Sequence, residues 1–113
     1  MRYLPSITGP QQFGDVLMTE SDSMAIRLIG KLICATDEQA ALVREHLPEH
    51  IRLSRAEPGC VDFEVDHLGS TIWRVDERFE DRAAFEAHQA RTKASAWGHA
   101  TLGIAREYEI SED

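Results

Sequence analysis

Few of the residues in this 113-residue chain combine a reactive type with an informative position. The stretch FEDRAAFEAHQ, residues 79–89, offers the clearest case. Asp81 has the type and place of a helix N-cap, and Ala84 and Phe85 begin an apolar stripe. His88 falls on that stripe, four residues after Ala84 and three after Phe85, so its imidazole faces inward. By residue pattern it is either a core histidine satisfied by a backbone carbonyl, or a group that works on something held against that face. His46 and His50 stand four apart, a spacing able to grip a metal ion. No further ligand completes the set and Pro48 disturbs the turn between them, so no metal is expected; one of the two instead faces a pocket from the helix side. Cys34 and Cys60 lie in separate apolar stretches without paired spacing and are expected to be reduced thiols. There is no glycine-rich phosphate loop and no GxSxG elbow.

The whole-chain balance narrows the function classes. The length suits one domain. A hydrophobic share of 42% and a charged share of 28% are those of an ordinary globular protein. Twenty acidic residues against twelve basic ones give a net charge of −8, which repels a phosphate backbone, so nucleic acid is not an expected partner. No apolar run approaches the length of a membrane helix, and no apolar segment follows Arg2 as in a signal peptide. Together with the unpaired cysteines, this leads to the expectation of a cytoplasmic protein. Residues 1–22, with Pro5, Gly9, Pro10 and Gly14, are expected to form an irregular arm lying against its own domain or a neighbouring subunit, and residues 23–113 the folded domain.

The elements that position these groups follow from period and capping. MAIRLIGKLICA, residues 24–35, predicts a strand with Ile26, Leu28, Leu32 and Cys34 on one side. Thr36 then caps a helix, with Gln39 completing a capping box and Ala40, Val43, Leu47, Ile51 and Ser54 on the inner face. Pro48 is expected to kink or split that helix, and Pro58-Gly59 ends it. CVDFEVDH alternates, with Val61, Phe63, Val65 and His67 on one face. Leu68-Gly69-Ser70 suits a three-residue hairpin loop with Gly69 left-handed, which sets Val65 opposite Trp73 and Glu64 opposite Arg74. On the returning strand Trp73, Val75 and Phe79 form the apolar face. A second helix runs from Asp81 to about Ser95, and a last strand lies near residues 105–110. Glu57 and Asp81 are assigned to turn and cap geometry. The order β-α-β-β-α-β predicts an α+β, ferredoxin-like domain, an antiparallel four-stranded sheet with both helices on one face.

SRAEPGCVDFEV followed by WRVDERFEDRAAFEAHQ resembles the antibiotic biosynthesis monooxygenase family, part of the dimeric α/β-barrel superfamily that includes quinol monooxygenases. The matching parts are an acidic residue before Pro58-Gly59-Cys60, an aromatic-plus-acidic strand, and Asp81-Arg82-Ala83-Ala84 leading to Ala87-His88. The resemblance spans residues 24–110. It implies a homodimer whose two sheets face each other as a barrel, and a pocket in each subunit between sheet and helices. Members with known activity oxidise phenols, quinols or polyketide anthrones with molecular oxygen, using no flavin, haem or metal. A small aromatic substrate and oxygen are therefore the implied partners, with no cofactor. Related haem-degrading enzymes depend on an asparagine in the first strand; this chain contains no Asn at all.

Under that resemblance His88 is the base that removes a substrate proton, and Trp73, whose indole N–H only donates, stabilises the anion. Phe63 and Phe85 stack on a planar ring, Trp97 lines the pocket mouth or anchors a dimer, and His50 joins the substrate site from the first helix. Two alternatives stand beside the oxygenase: a non-enzymatic or stress-associated barrel dimer that holds a small aromatic ligand, and haem binding or degradation, since His88 stands where a haem ligand would be expected.

Overall fold

In the computed structural model, which describes residues 24–112, local signals and packing agree on the order of elements. They are β1 (Ile26–Ile33), α1 (Asp37–Arg55), β2 (Cys60–Gly69), β3 (Ile72–Phe79), α2 (Arg82–Ala94), α3 (Ala96–Ala100) and β4 (Ala105–Glu112). All pairings are antiparallel, in the order β2-β3-β1-β4, and the helices cover one face, which is the ferredoxin-like α+β arrangement. The expected arm, residues 1–22, lies outside the described residues. No helix among those described is long and apolar enough to cross a membrane.

The caps behave as their residue types dictate. Thr36 Oγ1 accepts from the Gln39 amide at 3.1 Å, while Gln39 Oε1 accepts from the Ala35 amide at 2.7 Å. Asp81 accepts from the Ala84 amide at 2.8 Å and starts α2. Of the kink or split expected at Pro48, the split does not occur: α1 runs unbroken through it. Pro48 and Arg44 are both exposed, so water can bond to the Arg44 carbonyl, which loses its helical partner because proline has no N–H. The segment after α2 holds a short helix the sequence did not foretell. Ser95 closes α2 and caps α3 by accepting from the Gly98 amide, which turns Trp97 into the core.

The β2–β3 register differs from expectation by two residues. Val65 faces Val75, Glu64 faces Asp76, and Asp66 faces Arg74. Gly69 pairs with Ile72, so Ser70 and Thr71 make the turn, and an irregularity between His67 and Gly69 absorbs the offset. On the sheet face away from the helices the central acid is thus Asp76, held by Arg27 through two bonds of 3.1 and 2.9 Å.

The core divides along the strands. One cluster gathers Ile26, Leu28, Phe63, Phe79, Phe85 and Ile110; the other gathers Leu32, Val43, Trp73, Trp97 and Ile104. Gly59 joins the α1–β2 turn to α2 at contact distance, because a Cβ there would stand 2.3 Å from the Ala84 Cβ. Gly59→Ala is therefore expected to overpack this junction and destabilise the fold by about 1–3 kcal/mol. Urea unfolding checks this, and Ala84→Gly in the same chain should restore part of the loss.

Candidate active site

The α1–β2 turn, α2 and β3 converge on one histidine. His88 and Arg91 are three apart on α2, so they share its inner side. Glu57 sits in the turn that Pro58-Gly59 fixes against α2. Its backbone amide bonds to the Ser54 carbonyl, and its carbonyl accepts from the Cys60 amide. Glu77 lies on the helix-facing side of β3, between Leu28 on β1 and Phe63 on β2.

His88 is only 2% exposed. Its Nδ1 lies 2.9 and 3.2 Å from the two carboxylate oxygens of Glu57. A carboxylate only accepts, so Nδ1 carries the hydrogen and neutral His88 keeps its lone pair on Nε2. Nε2 faces Thr92 Oγ1 at 3.4 Å and Glu77 Oε1 at 3.6 Å. The second distance is too long for a hydrogen bond, so the two groups face each other without being bonded. Arg91 Nε donates to the other side of Glu57, and Arg91 Nη2 donates to Ser54 Oγ at 3.0 Å. The guanidinium thus fixes the carboxylate that fixes the imidazole.

Burial sets the protonation states. It pushes the His88 pKa down, with Glu57 acting in the opposite direction. It pushes His50 down to about 3, with the positive charge of a protonated His88 and Arg91 adding to the effect. It pushes Glu77 up to about 8, with Glu57 and Asp76 adding and Arg106 opposing. At neutral pH the site therefore contains a neutral imidazole and a neutral carboxylic acid facing each other. Three buried side-chain atoms, His50 Nδ1, Glu77 Oε1 and Arg91 Nη1, have no hydrogen-bond partner among the described residues. Such atoms cost free energy unless a ligand or water satisfies them.

Aromatic rings wall the site. Phe79 lies 4.7 Å from His88 between ring centroids, and Phe63 lies 5.6 Å away. His50 is buried, 5.9 Å from His88, and stacks on Trp97 at 4.6 Å with 5° between the planes. Of the residues expected from sequence, His88, Phe63, His50 and Trp97 are therefore gathered together. Phe85 stands one layer behind, edge-on to Phe79 at 5.9 Å. Trp73 belongs to the other cluster and stacks on His67 at 4.3 Å. It shares a sheet face with Glu77, but four residues of strand separate them, roughly 13 Å. A shared face therefore did not bring its indole to His88.

Glu57, Glu77 and Arg91 were missed as site residues. Glu77 had a readable signal: it is the one charged residue on the alternation Trp73, Val75, Phe79. Arg91 follows His88 at helical spacing. Glu57 had only its place before Pro58-Gly59, which turn geometry explained equally well. Both cysteines are free, and burial pushes both thiols up, Cys60 to about 11, so neither is an activated nucleophile. His46 and His50 point to different surroundings, and among the described residues no group of three potential ligands is arranged around a metal position.

A family model described as antibiotic biosynthesis monooxygenase matches residues 26–100. No curated protein matches the chain in sequence. Solved structures do resemble it. A protein of unknown function from Nitrosomonas europaea superposes with a TM-score of 0.65 at 22% identity, over 81% of this chain and 91% of that one. SnoaB, a cofactor-independent oxygenase from Streptomyces nogalater, superposes with a TM-score of 0.64 at 11% identity, over 78% of this chain and 91% of that one. A conserved protein from Methanosarcina mazei gives 0.59 at 18% identity, over 83% and 97%. At these identities the likeness speaks for the fold.

Proposed function

This chain belongs to the antibiotic biosynthesis monooxygenase family, and from that membership we propose that it oxidises a small phenol, quinol or anthrone-like aromatic with molecular oxygen. His88 is the base. The observation that carries this reading is the arrangement at His88. Glu57 holds the Nδ1 hydrogen, which leaves the Nε2 lone pair directed at Glu77 Oε1, a buried polar atom without a hydrogen-bond partner among the described residues.

Oxygen accepts electrons readily from an aromatic anion and poorly from the neutral phenol, so the protein's first task is proton removal. With reference values near 6.5 for histidine and 10 for a phenol, unaided transfer is uphill by about 5 kcal/mol. Burial of His88 adds to that cost. Glu57 offsets it, because an imidazolium formed on proton transfer sits directly against a carboxylate held by Arg91. Phe63 and Phe79 offer apolar faces to a planar ring, and His50 stacked on Trp97 closes the α1 side. Trp73 lines the neighbouring cluster in this reading. The enclosed position of His88, with Nε2 toward Glu77 and Thr92, favours a small aromatic over a porphyrin.

The working form in this proposal is a homodimer joined through the sheet faces that the helices leave open. Basic Arg27 and Lys31 on β1, and acidic Glu107 and Glu109 on β4, give that face self-complementary charge. The test of the function is oxygen uptake by the purified chain with added quinols and anthrones, in the presence of a chelator. Uptake with stoichiometric oxidised product supports it. Ligand-induced thermal stabilisation with no product from any of these substrates would leave a binding protein instead.

A further inference from the structure

We infer that Glu77 is the acid of this site: it holds a proton opposite His88 and delivers it to the peroxide formed when oxygen adds to the substrate. The inference rests on the oxygenase reading and adds a second catalytic residue to it. Glu77 has a side chain 8% exposed, and its Oε1 is 3.6 Å from His88 Nε2. Among the described residues, that oxygen has no hydrogen-bond partner. Glu57 is the nearer carboxylate but is committed, with His88 Nδ1 on one oxygen and Arg91 Nε on the other. The charged and titratable groups around Glu77 are His88 on α2, Glu57 in the turn, Asp76 beside it on β3, and Arg106 and Tyr108 on β4. The two acids and the apolar neighbours Leu28 and Phe63 keep its proton on, and Arg106 only partly counters them. A carboxylic acid kept neutral in an apolar site can act as a donor at neutral pH.

The chemistry balances for a substrate carbon that carries two hydrogens, as in an anthrone. His88 Nε2 takes the first as a proton. One electron passes from the anion to oxygen, and the resulting radical pair combines as C–O–O⁻. Glu77 gives its proton to the outer oxygen, leaving C–O–OH and a carboxylate. That carboxylate takes the second hydrogen as a proton, the C–H pair becomes the second bond of C=O, and the O–O bond breaks. The departing hydroxide accepts the proton held on His88 and leaves as water. The sum is CH₂ plus O₂ giving C=O plus H₂O, and both His88 and Glu77 return to their starting states.

Glu77→Gln keeps the volume and the neutrality but has no proton to give. Oxygen uptake with an anthrone should fall about 10²–10⁴-fold. Substrate anion should still form in anaerobic mixing, and organic hydroperoxide should be found in quenched samples. Infrared difference spectra of wild type minus Glu77→Gln at neutral pH should show the carbonyl band of a protonated carboxylic acid. Glu77→Asp, which retains the acid on a shorter arm, should give an intermediate rate, and it carries the kinetic test if Glu77→Gln does not fold. Wild-type uptake that is undiminished in Glu77→Gln, or in Glu77→Asp where that variant stands in, overturns the role of Glu77 alone. Absence of uptake in the wild type overturns the oxygenase reading and this role with it.

Discussion

His88→Gln should lower oxygen uptake with a quinol or anthrone by about 10²–10⁴-fold, the loss expected when a positioned base is removed. The glutamine keeps a polar group near Glu57 and fills much of the imidazole's volume, so loss of folding does not confound the result. His88→Ala should lose as much activity and also stability, because it opens a cavity beneath Phe79 and leaves the inner side of Glu57 without its partner. Added imidazole, which fits the space vacated in His88→Ala, should restore part of the rate. The magnitude follows from geometry. His88 is buried on the inner side of α2, its tautomer is set by Glu57, and Glu57 is in turn held by Arg91. Turnover unchanged in His88→Gln would remove His88 from the reaction.

The second large effect is on stability against pH, and its two limbs have different owners. Glu77 is raised from 4.5 to about 8, so between those values the folded chain keeps a proton that the unfolded chain has released. Stability from this group is therefore full below pH 4.5 and falls as pH rises toward 8, by at most about 1.4 kcal/mol per unit. His50 is depressed from 6.5 to about 3, so the unfolded chain protonates first as pH falls. Stability from His50 is full above 6.5 and is lost as pH falls toward 3, with His88 adding in the same direction. Between 4.5 and 6.5 the opposing slopes largely cancel. The expected profile has its maximum near pH 6, a decline toward 8, and a steeper decline below 4.5. Urea unfolding across this range checks it. Glu77→Gln should abolish the decline between 6.5 and 8, and His50→Phe, which keeps the stack on Trp97, should flatten the acid limb. Parallel profiles for wild type and Glu77→Gln above pH 6.5 would contradict the buried, protonated state of Glu77.

The fold was legible because local and global signals agree. Thr36 and Asp81 cap the helices they announce, and period-2 alternation marks the strands. Errors arose where a single residue's surroundings decide. The hairpin closes on Ser70-Thr71 because Gly69 stays within the strand, and no periodicity could show that irregularity. Pro48 reads as a helix breaker, yet it lies on the exposed side of α1, where the carbonyl it leaves without a donor is open to solvent. The site was half legible. Helical spacing put His88 on an inward face, but a face does not give position along a strand, so Trp73 was paired with a histidine it does not reach. Glu57 and Glu77 come from elements distant in sequence, and only their convergence on His88 gives them chemical meaning. Glu77 marks a general rule: a charged residue on an otherwise apolar alternation is expensive to bury, and the compensating function should be sought.

The central claim is that the lone pair of His88 removes a proton from a bound phenol. Anaerobic mixing with a nitrophenol, whose ionised form absorbs in the visible, tests this without oxygen or turnover. At a pH below the phenol's own pKa, the wild-type chain should bind it and raise the phenolate absorbance, and His88→Gln should bind it without that rise. Phenol that stays protonated when bound to the wild type, or ionises equally in His88→Gln, would contradict the account.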